Sequence, residues 1–218
     1  MTLAIFDLDN TLLTGDSDYG WGQFLVDNNL VDQKEYEQAN KKFFQDYQQG
    51  ELDISSYCAF SFEPLAARSM DELQKLHRQF MQNVIRPMMG KKAKELVEHH
   101  RRQGHVLLVI TATNSFITRP IVEEFGIEHL LATEPKIVNN RYTTVIDGIP
   151  CFKEGKVARL RQWLQQRKLS LDDSWFYTDS VNDLALLEQV SNPVAVDPDK
   201  ELNRIALARG WKIISLRE

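Results

Sequence analysis

The sequence is short of several things that would assign it to a class at once. It holds two cysteines, Cys58 and Cys151, too far apart for the C-x-x-C spacing of a thiolate metal site. They are read as reduced, buried thiols of a cytoplasmic protein. No apolar run approaches the roughly 18 residues of a membrane-spanning helix. The longest, such as Val106 to Ile110, are the size of strands. Met1 leads straight into Leu3-Ala4-Ile5-Phe6, without a basic lead or a cleavage site, so the start is read as a first strand and not as a signal peptide. Repeats and low-complexity tracts are missing, which excludes solenoids and arrays. Basic charge is in deficit, with 26 Lys and Arg against 31 Asp and Glu and a net charge of −5. Such a surface offers no general hold on a nucleic acid backbone. Nor does any basic amphipathic helix suit it to a membrane surface. What is present, 43% hydrophobic and 26% charged residues over 218 positions, suits a soluble globule with a full core. A monomer or homodimer acting on a small metabolite is the expectation.

Short apolar runs alternate with helical patterns. Leu3 to Phe6, Val106 to Ile110, Ser174 to Thr178, Pro193 to Val196 and Lys212 to Leu216 read as strands buried on both faces. Helices are expected over 91–103, 156–167, 183–190 and 200–209, two of them closed by Gly104 and Gly210. This alternation predicts an α/β fold with a doubly wound, Rossmann-like, mostly parallel sheet. Residues 16–86 break the pattern with aromatic and apolar residues at helical spacings and no credible buried strand. They are read as a helical cap inserted after the first strand, leaving 1–15 and 87–218 as the α/β core. Residues 136–145 read as a β-hairpin turning at Asn139-Asn140.

Three strand ends carry polar groups of complementary kinds. The first gives Asp7 and Asp9, the second Thr111, the third Asp179 and Asp183, and Lys156 lies near the start of a helix between the last two. In an open α/β sheet these ends converge on one crevice. Carboxylates can gather around a phosphate dianion only if a hard cation neutralises them, and oxygen ligands suit Mg²⁺. A lysine adds positive charge for the transferring group. Asp7 and Asp9, two residues apart where the chain turns, can both face the crevice, so one can attack phosphorus while the other serves the leaving oxygen.

The set resembles the haloacid dehalogenase-like phosphatases. Asp7-Leu8-Asp9-Asn10-Thr11 matches their D-x-D-x-T motif, Thr111 their Ser/Thr motif, Lys156 (with Lys153 as the less favoured choice) their lysine, and Asp179 to Asp183 their D-x-x-x-D, all in family order. The resemblance implies that Asp7 is a nucleophile forming an aspartyl-phosphate and that Asp9 is the general acid and base. It further implies that Thr111 and Lys156 hold the phosphoryl group, and that Mg²⁺ is bound by Asp7, Asp9 through its carbonyl, and Asp179, with Asp183 in support. Thr11, Ala112 and Asn182 join the expected substrate contacts. The cap is similar to that of the phosphoserine-phosphatase-like branch. In that branch an acid nine residues after the nucleophile meets the substrate amine. Asp16 stands at that offset, although it is equally well placed to cap a helix.

The comparable cap stretch, Ser55 to Phe62, contains no arginine to hold a substrate carboxylate, and Arg68 lies beyond Pro64. An amine-bearing ester with a flat ring and no carboxylate suits this pattern better than phosphoserine, and histidinol phosphate has that description. Tyr57 and Phe60 are the aromatics expected to face such a ring. His99 and His100 are expected to pack or to lie at the surface. Two other functions use similar residues: a phosphotransferase with the same intermediate, and a receiver-like signalling or phospho-ligand-binding module. The second lacks a large insertion and a second acid two residues on.

Overall fold

The computed structural model describes residues 2–217, apart from the side chain of Gln48. The outermost positions of the expected core, residues 1 and 218, lie outside the described residues. The chain begins with β1 (Leu3–Phe6) and winds through four helices, α1 (Ser17–Asp27), α2 (Gln33–Gln49), α3 (Ile54–Ala66) and α4 (Met70–Phe80). A helical turn, α5 (Arg86–Met88), leads to α6 (Lys91–Arg102), β2 (Val106–Asn114), α7 (Ser115–Glu124) and β3 (His129–Thr133). The hairpin β4 (Pro135–Val138) and β5 (Arg141–Ile146) precedes α8 (Glu154–Arg167). Then follow β6 (Trp175–Thr178), α9 (Leu184–Leu187), β7 (Asn192–Val196), α10 (Lys200–Arg209) and β8 (Lys212–Ile214).

Six strands make one parallel sheet in the order β3-β2-β1-β6-β7-β8. The doubly wound architecture is as expected. Alternate residues of β1 serve opposite faces, which is why its sequence is apolar throughout. Ala4 and Phe6 pack with Val97, Ile117 and Ile121 on one side. Leu3 and Ile5 pack with Leu160, Leu187 and Leu202 on the other. The hairpin turn holds Asn139 and Asn140 at φ 50° and 57°, the left-handed pair of a type I′ turn.

Three local expectations change. α7 and β3 are additions to the expected elements, joined where Gly126 closes the helix at φ 68°. β2 runs on to Asn114, so Thr111 is a strand residue and not the start of a loop. The helix expected over 183–190 is only a 3₁₀ turn, Val181–Asp183, joined to the short α9, since β7 must begin by Asn192. Cys58 and Cys151 are both buried and free. His100 is buried, bonding the Tyr177 hydroxyl at 2.8 Å. Among the described residues no helix is long and apolar enough to cross a membrane.

Helices α1 and α4 are fastened to the layer beneath them. Trp21 and His77 meet the Phe116 ring of α7 at 5.4 and 5.1 Å, and His77 Nε2 lies 2.9 Å from the Ile117 carbonyl. Helices α2 and α3 pair with each other through Tyr36–Phe60 and Phe43–Tyr57.

Candidate active site

The site is set by strand register. Phe6 aligns with Val109 on β2 and Tyr177 on β6, and the Asp7 N–H donates to the Tyr177 carbonyl at 2.8 Å. Asp7 therefore leaves β1 between the ends of its two neighbours. The next residues wind tightly, with Asp9 extended and Asn10 left-handed at φ 56°. The Arg217 guanidinium pins this turn from the segment after β8, donating to the Asn10 and Leu13 carbonyls at 2.7 and 3.0 Å.

Lys156 is the charge centre. It is 2% exposed, and its ammonium meets Asp7 Oδ1 at 2.8 Å and Asp183 Oδ2 at 2.7 Å. Thr178 donates to the same Asp183 oxygen at 2.8 Å. Burial would push the ammonium down, but Asp183 and Asp7 hold it well above its ordinary pKa. The start of α8 is brought close by Gly155, where an added Cβ would stand 2.1 Å from the Pro150 carbonyl oxygen. Gly155→Ala must move backbone and displace Lys156. Activity is expected to fall by roughly a hundredfold, in line with a small misplacement of a catalytic group, as steady-state kinetics would show.

Thr11 ties two carboxylates together. Its hydroxyl lies 3.1 Å from Asp179 Oδ1 and 3.3 Å from Asp7 Oδ2, and it accepts from the Asp179 N–H at 3.0 Å. Burial raises Asp7 to about 7 against the pull of Lys156. Burial, then the Asp7 and Asp183 charges, raise Asp179 well above the usual range. Two buried carboxylates thus share one ammonium, and a third, Asp179, is tied to Asp7 through Thr11, an excess of negative charge that calls for a cation. Among the described residues no three His, Cys, Asp or Glu side chains form a ready cage. The expected ligand set asks for only two carboxylates and a carbonyl, and these all-oxygen donors suit a hard divalent ion.

Asp9 points another way. Its carboxylate accepts from the Ser17 N–H at 2.6 Å and the Thr113 hydroxyl at 2.8 Å, and burial raises its pKa to about 7. Thr113 was missed in the sequence, though it lies on the same face of β2 as Thr111, two residues on. Thr111 accepts from the Thr113 N–H at 3.2 Å, and Thr111 and Ala112 line the cavity beside Asp7 and Asp9.

Asp16 is the N-cap of α1 and also a residue of the cavity wall. It accepts from the N–H groups of Asp18 and Tyr19 at 2.9 and 2.8 Å. Asp18 is beside it, bonded by Ser61 at 3.2 Å. Burial lifts each of the two carboxyls to about 6. Tyr57 also lines the cavity, with Tyr19, Phe43, Phe44 and Tyr47. No Lys, Arg or His is among the described residues of its wall.

Three expected substrate contacts are placed elsewhere. Phe60 packs against Tyr36 and Phe43 at 4.6 and 5.2 Å and lines an outer groove, because it lies one turn further along the same face of α3 than Tyr57. Thr11 is spent on Asp7 and Asp179. Asn182 faces the end of α2, donating to the Tyr47 carbonyl at 3.2 Å. Lys153 does not join the carboxylates; its ammonium bonds the Gly50 carbonyl at 2.6 Å.

The profile of the haloacid dehalogenase-like hydrolases matches residues 4–188. The chain belongs to that family. It is 45% identical over 219 residues, 99% of both chains, to a histidinol-phosphatase of Neisseria meningitidis serogroup C (strain 8013). Its fold superposes with a TM-score of 0.94 on the crystal structure of a protein of unknown function from Bordetella pertussis Tohama I, at 45% identity and full coverage of both. A substrate-bound phosphoserine phosphatase shares the fold at a TM-score of 0.72 and 16% identity, over 99% of this chain and 93% of the other.

Proposed function

We propose that this hydrolase is a Mg²⁺-dependent phosphomonoesterase. It cleaves a small amine-bearing phosphate ester through an aspartyl-phosphate on Asp7, with histidinol phosphate as the first candidate substrate. The observation that carries the substrate class is the cavity wall: Asp16 and Asp18 among aromatic rings, with no cation for a substrate carboxylate. The similarity to a histidinol-phosphatase supports it.

An oxygen of Asp7 attacks phosphorus while the ester oxygen departs and takes a proton from Asp9. A carboxyl lifted to about 7 by burial keeps a useful protonated fraction at neutral pH. Ser17 and Thr113 fix its direction. Asp9 then takes a proton from water, the water oxygen attacks phosphorus, and the Asp7–phosphorus bond breaks to release phosphate and restore both carboxyls. Lys156, Thr111 and the N–H groups beside Ala112 hold the phosphoryl oxygens. Asp7, Asp179 and the Asp9 carbonyl, with Asp183 behind them, would hold Mg²⁺, which when bound offsets negative charge on those oxygens.

Residues 16–86 act as the cap in this reading. Their paired helices α2 and α3 roof the cavity, which leaves only about 40 Å³ open to water. The test is a comparison of kcat/KM for histidinol phosphate and phosphoserine in the wild type and Asp16→Ala. Histidinol phosphate should be preferred. Asp16→Ala should cost roughly ten- to a hundredfold on amine esters, the loss of a charge-assisted hydrogen bond, with little change on an ester lacking an amine. A clear preference for phosphoserine would remove this substrate class.

A further inference from the structure

Helix α2 ends above the site, and its last turn is held by the segment that carries Asp183 and by the one that carries Lys156. The Tyr47 carbonyl accepts from Asn182 at 3.2 Å, next to Asp183. The Gly50 carbonyl accepts from Lys153 at 2.6 Å, one helical turn before Lys156. The Tyr47 ring rests 6.0 Å from Phe152, and the Lys153 ammonium lies 5.2 Å from that same ring. Lys153 stands at φ 47°, ψ −122°, a backbone conformation that a side-chain-bearing residue seldom adopts and that surrounding contacts must sustain. Tyr47 lines the cavity beside Asp7 and Thr111. Burial, then the Asp7 carboxylate, hold its phenol well above the ordinary pKa against Lys156, so the hydroxyl remains a donor.

We propose that Tyr47 is a catalytic residue delivered by the roof: its hydroxyl donates to a phosphoryl oxygen of the bound ester, and Lys153 and Asn182 are positioning residues that latch α2 where it can do so. This rests on the phosphomonoesterase reading and adds to it a phosphate contact from outside the α/β layer. The phenol keeps its proton throughout; the hydrogen bond strengthens as charge builds on the oxygen it meets.

The experiment compares Tyr47→Phe, Lys153→Met, Lys153→Arg and the Tyr47→Phe/Lys153→Met double variant. It reads kcat and KM on histidinol phosphate, inhibition by orthovanadate, and hydrogen exchange of peptides spanning residues 44–57 in substrate-free protein. Tyr47→Phe is expected to lower kcat by roughly ten- to a hundredfold, the loss of one hydrogen bond to a charged group, and to weaken orthovanadate by a similar factor. Lys153→Met is expected to raise KM and quicken exchange in that segment, Lys153→Arg to restore both, and the double variant to lose less than the product of the single losses. Unchanged turnover and orthovanadate inhibition in Tyr47→Phe would overturn the phosphate contact. Unchanged exchange in Lys153→Met would overturn the latch. A wild type inactive on every phosphate ester would instead count against the phosphomonoesterase reading, while the exchange result would still decide the latch.

Discussion

Asp7→Asn protein is expected to fold normally and to release no phosphate. The amide lacks the nucleophilic oxyanion, and removal of a covalent nucleophile costs about four orders of magnitude or more in turnover. Stability should not suffer. Asp7 is one of two buried carboxylates on a single ammonium, and burial already disfavours its charged form. A neutral isostere relieves that crowding, and Lys156 keeps Asp183 at 2.7 Å. Melting temperature in EDTA should therefore match or exceed that of the wild type. Such a result separates function from stability at one atom, as expected where a site is built from repelling groups.

Lys156→Met should behave differently, losing both. Among the described residues the ammonium is the one cation bonded to Asp7 and Asp183, and it is almost fully buried. Methionine fills similar space but leaves two buried carboxylates unpaired. Breaking a buried pair in this way costs about 3–5 kcal/mol, which for a chain of this size lowers the melting temperature by on the order of 10 °C. Activity should fall with it, since in the proposed mechanism the phosphoryl oxygens lose their lysine. Added Mg²⁺ should recover part of the stability, by binding the folded state alone, and little of the turnover. A Lys156→Met protein as stable as the wild type would show that the cluster is not held together by this ion pair.

The cluster around Lys156 was legible in the sequence because each of its members follows a strand or begins a helix, and the parallel sheet brings those ends together whatever the loops between them do. Asp7, Asp179, Asp183 and Lys156 meet for that reason. What escaped notice depends on how separate elements face one another. The helical spacing of α3 marks Tyr57 and Phe60 as apolar-face residues without saying that Tyr57 turns into the cavity and Phe60 into an outer groove. Tyr47 belongs to an aromatic stripe that resembles core, and only the placement of α2 over β1 and β6 sets it beside Asp7. Arg217 bonds a turn some two hundred positions earlier, a pairing with no local sequence signal. β3 offers only Leu130 and Leu131 as a strongly apolar run, and the true length of β2 is masked by its mostly polar end, Thr111 to Asn114, three residues of which line the cavity.

The proposed bond between Asp7 and phosphorus is tested most directly by trapping it. Enzyme turning over histidinol phosphate with Mg²⁺ would be quenched in acid, reduced with borohydride and mapped by peptide mass spectrometry. Reduction of an acyl phosphate at Asp7 would convert that side chain to homoserine, in a yield that rises when Asp9→Asn slows the second step; this is the predicted result. Modification of another residue, or an unaltered Asp7 in protein that releases phosphate at full rate, would contradict it.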